Sequence, residues 1–322
     1  MPSVVSTETI PRDTDRVAIL LNPKAGPRAG EPRARELAAL LEQRGLQVEL
    51  FTDLAAAAEA ANRWHGQGCL RTLVGVGGDG TVGELINRTE PGVPLTFLAA
   101  GNSNLLARYF GLTSDPAKLG DTIADGVLAR VDAGQANGRR FSLMASCGFD
   151  ADVVRRVHED RNGHISRWTY GKPLVQAIAG YRFPELRIEW DGPDGLAMPR
   201  SARWLFVFNL PCYGGGFHVA PQADGSDGLL DVCTFRRGNP CSGFWYAATI
   251  WARQHRRLGL CAERRVRRLR ITADAEVPYQ LDGDPGGMLP LDIQILPGRL
   301  TLVVPATAVS TSEPSTNPVS HA

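Results

Sequence analysis

None of the six cysteines (Cys69, Cys147, Cys212, Cys233, Cys241 and Cys261) belongs to a C-x-x-C pair. That excludes a ribbon-type zinc site and argues against a disulfide framework, leaving free thiols suited to a reducing compartment. The six histidines form no H-E-x-x-H or comparable spacing, so a zinc centre is not expected. No apolar run approaches the roughly 20 residues needed to span a bilayer. The segment Met1 to Glu8 lacks the basic-then-apolar order of a secretory signal. Net charge is only +1, so no overall field favours nucleic acid. There is no G-x-x-x-x-G-K-[ST], no G-x-G-x-x-G directly after the first strand, and no internal repeat. These absences leave a cytoplasmic chain, soluble or peripheral to a membrane. At 322 residues with 43% hydrophobic and 21% charged, it is long enough for two ordinary globular domains.

Residues 1–14 and 306–322 are rich in Ser, Thr and Pro and are expected to be loose tails. From 15 to 127 strand and helix patterns alternate. Val17 to Leu21 is a solid apolar run, as in a central parallel strand. A helix with Leu37, Leu40 and Leu41 on its inner face follows, then an alternating strand over 46–50 and an Ala-rich helix over 54–65. Next come an apolar strand over 73–76, a helix near 82–87, a strand over 95–98 and a helix over 104–109. This repetition predicts an α/β domain with a doubly wound, mostly parallel sheet. From 128 to 305 the pattern changes to short strands punctuated by Gly, Pro, Asn and Asp. Helical patterns remain only over 151–157, 168–181 and 244–258. The expectation is a mostly β second domain, a sandwich.

The most telling stretch is Val74-Gly-Val-Gly-Gly-Asp-Gly-Thr-Val82. A strand that ends in glycines and opens into a helix presents bare backbone N–H groups to phosphate, and a Cβ would block the approach. Asp79 stands among those amides, and its simplest partner is Mg²⁺ carried on a nucleotide. Two further polar turns end neighbouring strands: Asn22-Pro-Lys24-Ala-Gly26 and Ala100-Gly101-Asn-Ser-Asn104. Ligands bind at that sheet edge in open α/β folds, and Asn104 is placed to cap the helix after it. Each turn alone could be an ordinary connection; three at one edge favour a cleft for a phosphate-bearing ligand. Asp224, Asp227 and Asp231 suit a hard cation, although a β-connection with Asx turns is the plainer reading. In Gln280-Leu-Asp282-Gly283-Asp284, an aspartate could take a proton from a hydroxyl, but Asp-Gly is also the commonest hairpin signal. Eight arginines crowd 253–270, just after Phe244, Trp245, Tyr246 and Trp251. That combination suits an anionic bilayer surface, or equally a solvated charged face.

The five motifs, in this order, resemble the diacylglycerol kinase catalytic-domain family, which includes bacterial lipid kinases, sphingosine kinases and ceramide kinases. They are Asn22-Pro23-Lys24-Ala25-Gly26, Gly77-Gly78-Asp79-Gly80-Thr81, Gly101 to Arg108, Ala220 to Asp231, and Asp282-Gly283-Asp284. The Gly-Gly-Asp-Gly-Thr turn is shared with NAD kinases; the 220–231 segment favours the lipid branch. The resemblance implies ATP and Mg²⁺ in a cleft between the two domains. It implies that Asp79, Gly77, Gly78, Gly80 and Thr81 hold phosphates and metal, with Asn22, Lys24, Gly101, Asn104 and Asp284 completing the nucleotide site. Asp282 would be the general base that deprotonates a diacylglycerol, ceramide or sphingoid-base hydroxyl, and Asp227 a ligand of a structural Mg²⁺. Gly83, Asn102 and Leu105 depart from the family pattern. The alternatives are therefore an NAD-type nucleotide kinase, or a protein that binds nucleotide or lipid with weakened catalysis. The expected partners are a lipid substrate and an anionic membrane surface, with no nucleic acid. An edge strand of the second domain could pair between subunits, making a homodimer a candidate.

Overall fold

A computed structural model describes residues 2–21, 30–159, 181–191, 200–214, 217 and 219–311. Four strands, β3 (Arg16–Leu21), β4 (Gln47–Phe51), β5 (Leu70–Gly77) and β6 (Pro94–Ala99), form a parallel sheet in the order β4-β3-β5-β6. β3, β5 and β6 are apolar runs almost wholly buried, because helices cover both faces. α1 (Gly30–Gln43) packs with α5 (Pro116–Asp125), whereas α2 (Leu54–Gly66) packs with α3 (Asp79–Arg88). The strand order reverses between β3 and β5, so the crevice lies at the carboxyl ends of those strands. A short α4 (Leu105–Tyr109) follows β6.

The second unit begins with β7 (Val127–Ala136) and β8 (Arg139–Phe141). Its six-stranded antiparallel sheet has the order β14 (Ala262–Val266), β13 (Leu230–Phe235), β12 (Trp204–Phe208), β9 (Met144–Gly148), β16 (Pro278–Leu281) and β17 (Asp284–Met288). Facing it are β10 (Leu186–Trp190), β11 (Arg200–Ala202), β15 (Arg268–Thr272) and the long β18 (Leu291–Val304). Leu205, Val207 and Val232 from one sheet share a core with Ile188, Ile271 and Ile293 from the other, which makes a β-sandwich. β18 pairs antiparallel with β15 near its start and parallel with β6 near its end, so it belongs to both units. α6 (Phe149–Glu159) and α7 (Pro240–Trp251) are the helices described in this half.

The fold is therefore the α/β domain and β-sandwich that the sequence patterns predict. The N-terminal segment differs from expectation, whereas residues 312–322 of the expected C-terminal tail lie outside the described residues. Residues 3–9 are not a loose tail: β2 (Ser6–Thr9) pairs antiparallel with β7, and Val4 is buried. β1 (Ser3–Val4) pairs with β19 (Ser310–Thr311), so the two ends bind each other. Ser and Thr suit half-buried strands as well as loops, which is why composition alone misleads here. The helix expected over 244–258 starts earlier and stops at Trp251, where Arg253 adopts φ +57°. The backbone N–H groups of Arg253 and Gln254 bond back to Ile250 and Thr249, a Schellman closure made without glycine. The helix expected over 168–181 lies almost entirely outside the described residues. The eight-arginine cluster does not form one patch. β14 carries Arg264 and Arg265 on the edge of one sheet, whereas β15 carries Arg268 and Arg270 in the other. No helix among the described residues is long and apolar enough to cross a membrane.

Arg71, buried on β5, ties the N-terminal segment to α5. Its guanidinium donates to the carbonyls of Ile123 (2.7 Å), Ala124 (2.6 Å), Thr14 (3.2 Å) and Pro11 (3.4 Å). Arg71→Met leaves several buried carbonyls without a donor. It is expected to lower stability by about 2–4 kcal/mol in urea unfolding.

Candidate active site

Two glycine turns meet first. The strand β5 ends at Gly77, whose carbonyl accepts the Ala100 N–H at 3.0 Å, joining the 77–81 turn to the 100–104 turn. Gly78 and Gly101 are in backbone contact: a Cβ on Gly101 would lie 2.5 Å from the Gly78 Cα. Only glycine allows that approach. Asp79 opens α3, with Gly78 as an N-cap that offers no side chain. The N–H groups of Asp79 and Gly80 stand in the first turn, where a helix has no internal acceptor for them. Thr81 is buried, its N–H bonded to the Gly78 carbonyl at 2.9 Å.

The Asp79 carboxylate turns toward the start of α4. Its Oδ1 accepts a long bond from the Leu106 N–H at 3.4 Å, with the Leu105 and Asn104 amides also facing it. Asn104 does not cap that helix with its side chain. It sits in the left-handed region (φ 47°), and its amide clamps Gly101, accepting from the Gly101 N–H at 3.0 Å and donating to its carbonyl at 2.7 Å. Burial pushes the Asp79 carboxyl up to about 6; the backbone amides oppose the shift and the charge of Asp282 adds to it.

Asp282 comes from the second unit. Leu281 pairs with Asp284 across a two-residue loop, and Asp282 (φ +52°) and Gly283 (φ +90°) both lie in the left-handed region. The hairpin reading of Asp-Gly is therefore correct, and the same hairpin carries the acid to the cleft. The half-buried Asp282 carboxylate takes four donors. Oδ1 accepts from the Leu143 and Met144 N–H groups (2.8 and 2.9 Å), and Oδ2 from the Ser142 N–H and Oγ (2.7 and 3.0 Å). Burial raises its pKa, with these bonds opposing the shift. Asp284 faces the first turn of α3, 4.0 Å from where a Cβ on Gly80 would stand, and pairs loosely with Arg139 at 3.8 Å.

The structure thus brings together Gly77, Gly78, Asp79, Gly80, Thr81, Gly101, Asn104, Asp282 and Asp284. Asn22 and Lys24 lie outside the described residues. Asp227 stands apart, in the loop before β13. Its Oδ1 accepts from the Leu229 N–H at 2.9 Å and its Oδ2 meets Arg265 at 3.4 Å. Among the described residues no three His, Cys, Asp or Glu side chains stand close enough to hold a metal. A divalent ion riding on a phosphate chain needs only one protein carboxylate. Asp79, desolvated and held by a long amide contact beside a glycine cradle, fits that demand.

Several site residues carry no signal in the sequence. Ser142 to Met144 supply the amides that hold Asp282. Gln280 accepts the Gly283 N–H at 2.8 Å and donates to Ser146 Oγ at 3.0 Å and to Asp150 at 3.2 Å, locking the hairpin to a buried network. Ser146 and Tyr213 also donate to Asp150. Cys212 sits near both acids; burial, reinforced by the charges of Asp79 and Asp282, pushes its thiol up to about 12.

Residues 16–136 match the family model of the diacylglycerol kinase catalytic domain, and residues 144–304 match that of the YegS C-terminal NAD kinase beta sandwich-like domain. The chain is 26% identical over 298 residues to a diacylglycerol kinase of Bacillus subtilis, covering 90% of this chain and 96% of that protein. It is 29% identical over 313 residues to a probable YegS-like lipid kinase of Pseudomonas aeruginosa, covering 94% and 98%. A crystal structure of a putative diacylglycerol kinase from Bacillus anthracis shares the fold with a TM-score of 0.72, at 19% identity, covering 93% of this chain and 98% of that one. An NAD kinase from Archaeoglobus fulgidus in complex with ATP has a TM-score of 0.53, at 14% identity, covering 91% and 95%.

Two outcomes follow from this geometry. Gly101→Ala drives a methyl into the Gly78 backbone and is expected to cost about 1–3 kcal/mol, read as a lower melting temperature. Asp79 behaves in the opposite way. Because its folded pKa is raised, the stability linked to it is present below about pH 4 and lost as pH rises through about 6. Asp79→Asn should therefore raise stability at pH 8 by up to about 3 kcal/mol, with the gain gone at pH 4.

Proposed function

The chain belongs to the diacylglycerol kinase family of phosphotransferases, and from that premise we propose that it transfers the γ-phosphate of ATP to a hydroxyl of a lipid. The acceptor class is diacylglycerol, ceramide or a sphingoid base. The observation that carries this reading is the meeting of Asp79, on the glycine cradle of the first unit, with Asp282, on the hairpin of the second.

Phosphoryl transfer asks a protein mainly to position the reactants and to balance charge. The bare amides at the start of α3 and the Gly78–Gly101 contact bind the phosphate chain, with Asn104 holding Gly101 in place. Asp79 would hold Mg²⁺, which when bound neutralises charge on the phosphates. Asn22 and Lys24 belong to the same nucleotide site in this reading, and Asp284 borders it. Asp282 accepts the proton of the lipid hydroxyl. Its Oδ2 is the suited atom, because the Ser142 hydroxyl is the one donor of the four that can rotate away and free a lone pair. Burial makes this carboxylate a stronger base than a solvated one.

In a labelled-ATP assay with mixed lipid micelles and NAD side by side, label should enter lipid and not NAD. The reverse result would replace the lipid kinase by a nucleotide kinase. Asp282→Asn is expected to lower kcat by about 10²–10⁴-fold with ATP binding retained, and Asp79→Ala to abolish Mg²⁺-dependent turnover. Because Asp79 must be ionised, kcat/KM should fall as pH drops through about 6. A flat profile from pH 5 to 8 would remove Asp79 from that role.

A further inference from the structure

α7 is built inside out. Its buried side carries Ser242, Tyr246, Thr249 and Ile250, whereas its solvent side carries Phe244, Trp245, Ala248, Trp251 and, at its C-cap, Ala252. The three outward aromatics are 50%, 55% and 77% exposed, among the most exposed large apolar side chains of the described residues. Surface helices normally turn their polar residues outward. Here the hydroxyls are used inside: Ser242 completes a capping box with Asn239, and Thr249 bonds the Tyr246 carbonyl at 3.0 Å. No residue from Pro240 to Ala252 is charged.

Charge gathers at the two ends instead. Arg236 and Arg237 precede the helix, and Arg253, Arg256 and Arg257 follow it, all exposed. Only Arg256 has an ion pair among the described residues, with Glu263 at 2.5 Å. Exposed Leu258 extends the apolar side. A helix of 12 residues is too short to span a bilayer, but tryptophans with flanking arginines match the boundary between headgroups and acyl chains.

The helix is also tied to the cleft. His255 just beyond it bonds the Val219 carbonyl at 2.9 Å. Six residues separate Val219 from Cys212, a stretch that reaches at most about 25 Å, and Cys212 lies near Asp79 and Asp282. We propose that the outward face of α7, with the arginines at its ends, docks the enzyme on the surface of an anionic lipid bilayer. The inference rests on the lipid-kinase reading in one respect: the substrate lies in that bilayer.

The test uses the full chain with vesicles of phosphatidylcholine, with and without phosphatidylglycerol. The double variants are Trp245→Ser with Trp251→Ser, and Arg253→Glu with Arg257→Glu. Wild type should sediment with the anionic vesicles. The tryptophan variant should lose about tenfold or more in partition. The arginine variant should lose binding to anionic vesicles only, with the difference vanishing at high salt. Both should keep wild-type melting temperatures and turnover of a short-chain diacylglycerol dissolved as monomers. Wild-type partition in both variants overturns the proposal. So does a dimeric wild type that the tryptophan variant makes monomeric with vesicle binding unchanged, since that assigns the face to a second copy. If no lipid is phosphorylated in any form while the variants still lose vesicle binding, the kinase reading fails and the docking face stands.

Discussion

The contact between the Gly78 and Gly101 backbones is the constraint on which the rest of the site depends. Two parallel strands end side by side, and their exit turns come closer than any side chain permits. That closeness brings the start of α4 under Asp79 and uses the Asn104 side chain as a clamp rather than a cap. The result is a carboxylate taken out of water and faced with amides that stabilise its charge only in part. A desolvated acid of this kind is costly for the fold and useful for a cation, a common exchange at functional sites.

The second acid is fixed by a different economy. Asp282 sits in a left-handed turn, a position it tolerates better than most residues, and its carboxylate closes over three successive amides of the 142–144 segment. Behind it, Gln280 donates to Ser146 and Asp150, and Tyr213 donates to the same Asp150. The hairpin is thus braced from both sides, and the position of its acid is set by the sandwich core rather than by the loop itself.

Much of this was legible from residues alone. Buried parallel strands announce themselves as apolar runs, as in Val17 to Leu21, and glycine-rich strand ends locate the crevice. What stayed hidden is tertiary. Nothing near Asp79 in sequence shows that its partner amides come from Asn104 to Leu106. The alternation Arg268-Leu-Arg270-Ile is a half-buried strand, but the density of arginines around it reads as a surface cluster, which the two sheets then divide. Asp150 opens a helix, where an aspartate is ordinarily exposed, and only packing shows it to be buried. The short terminal strands pair with each other across the whole chain, a relation no local pattern encodes.

β18 runs unbroken through both units, hydrogen-bonded to the sandwich at Leu291 and to the parallel sheet at Leu302. Its one irregularity falls between Leu296 and Leu300, where Asp132 grips the Gly298 N–H at 2.7 Å and the Gly228 N–H at 2.8 Å. The two lobes therefore share a spine instead of a flexible joint. Changing the angle between them must twist or break the hydrogen-bonded ladder of β7 with β18 rather than bend a loop.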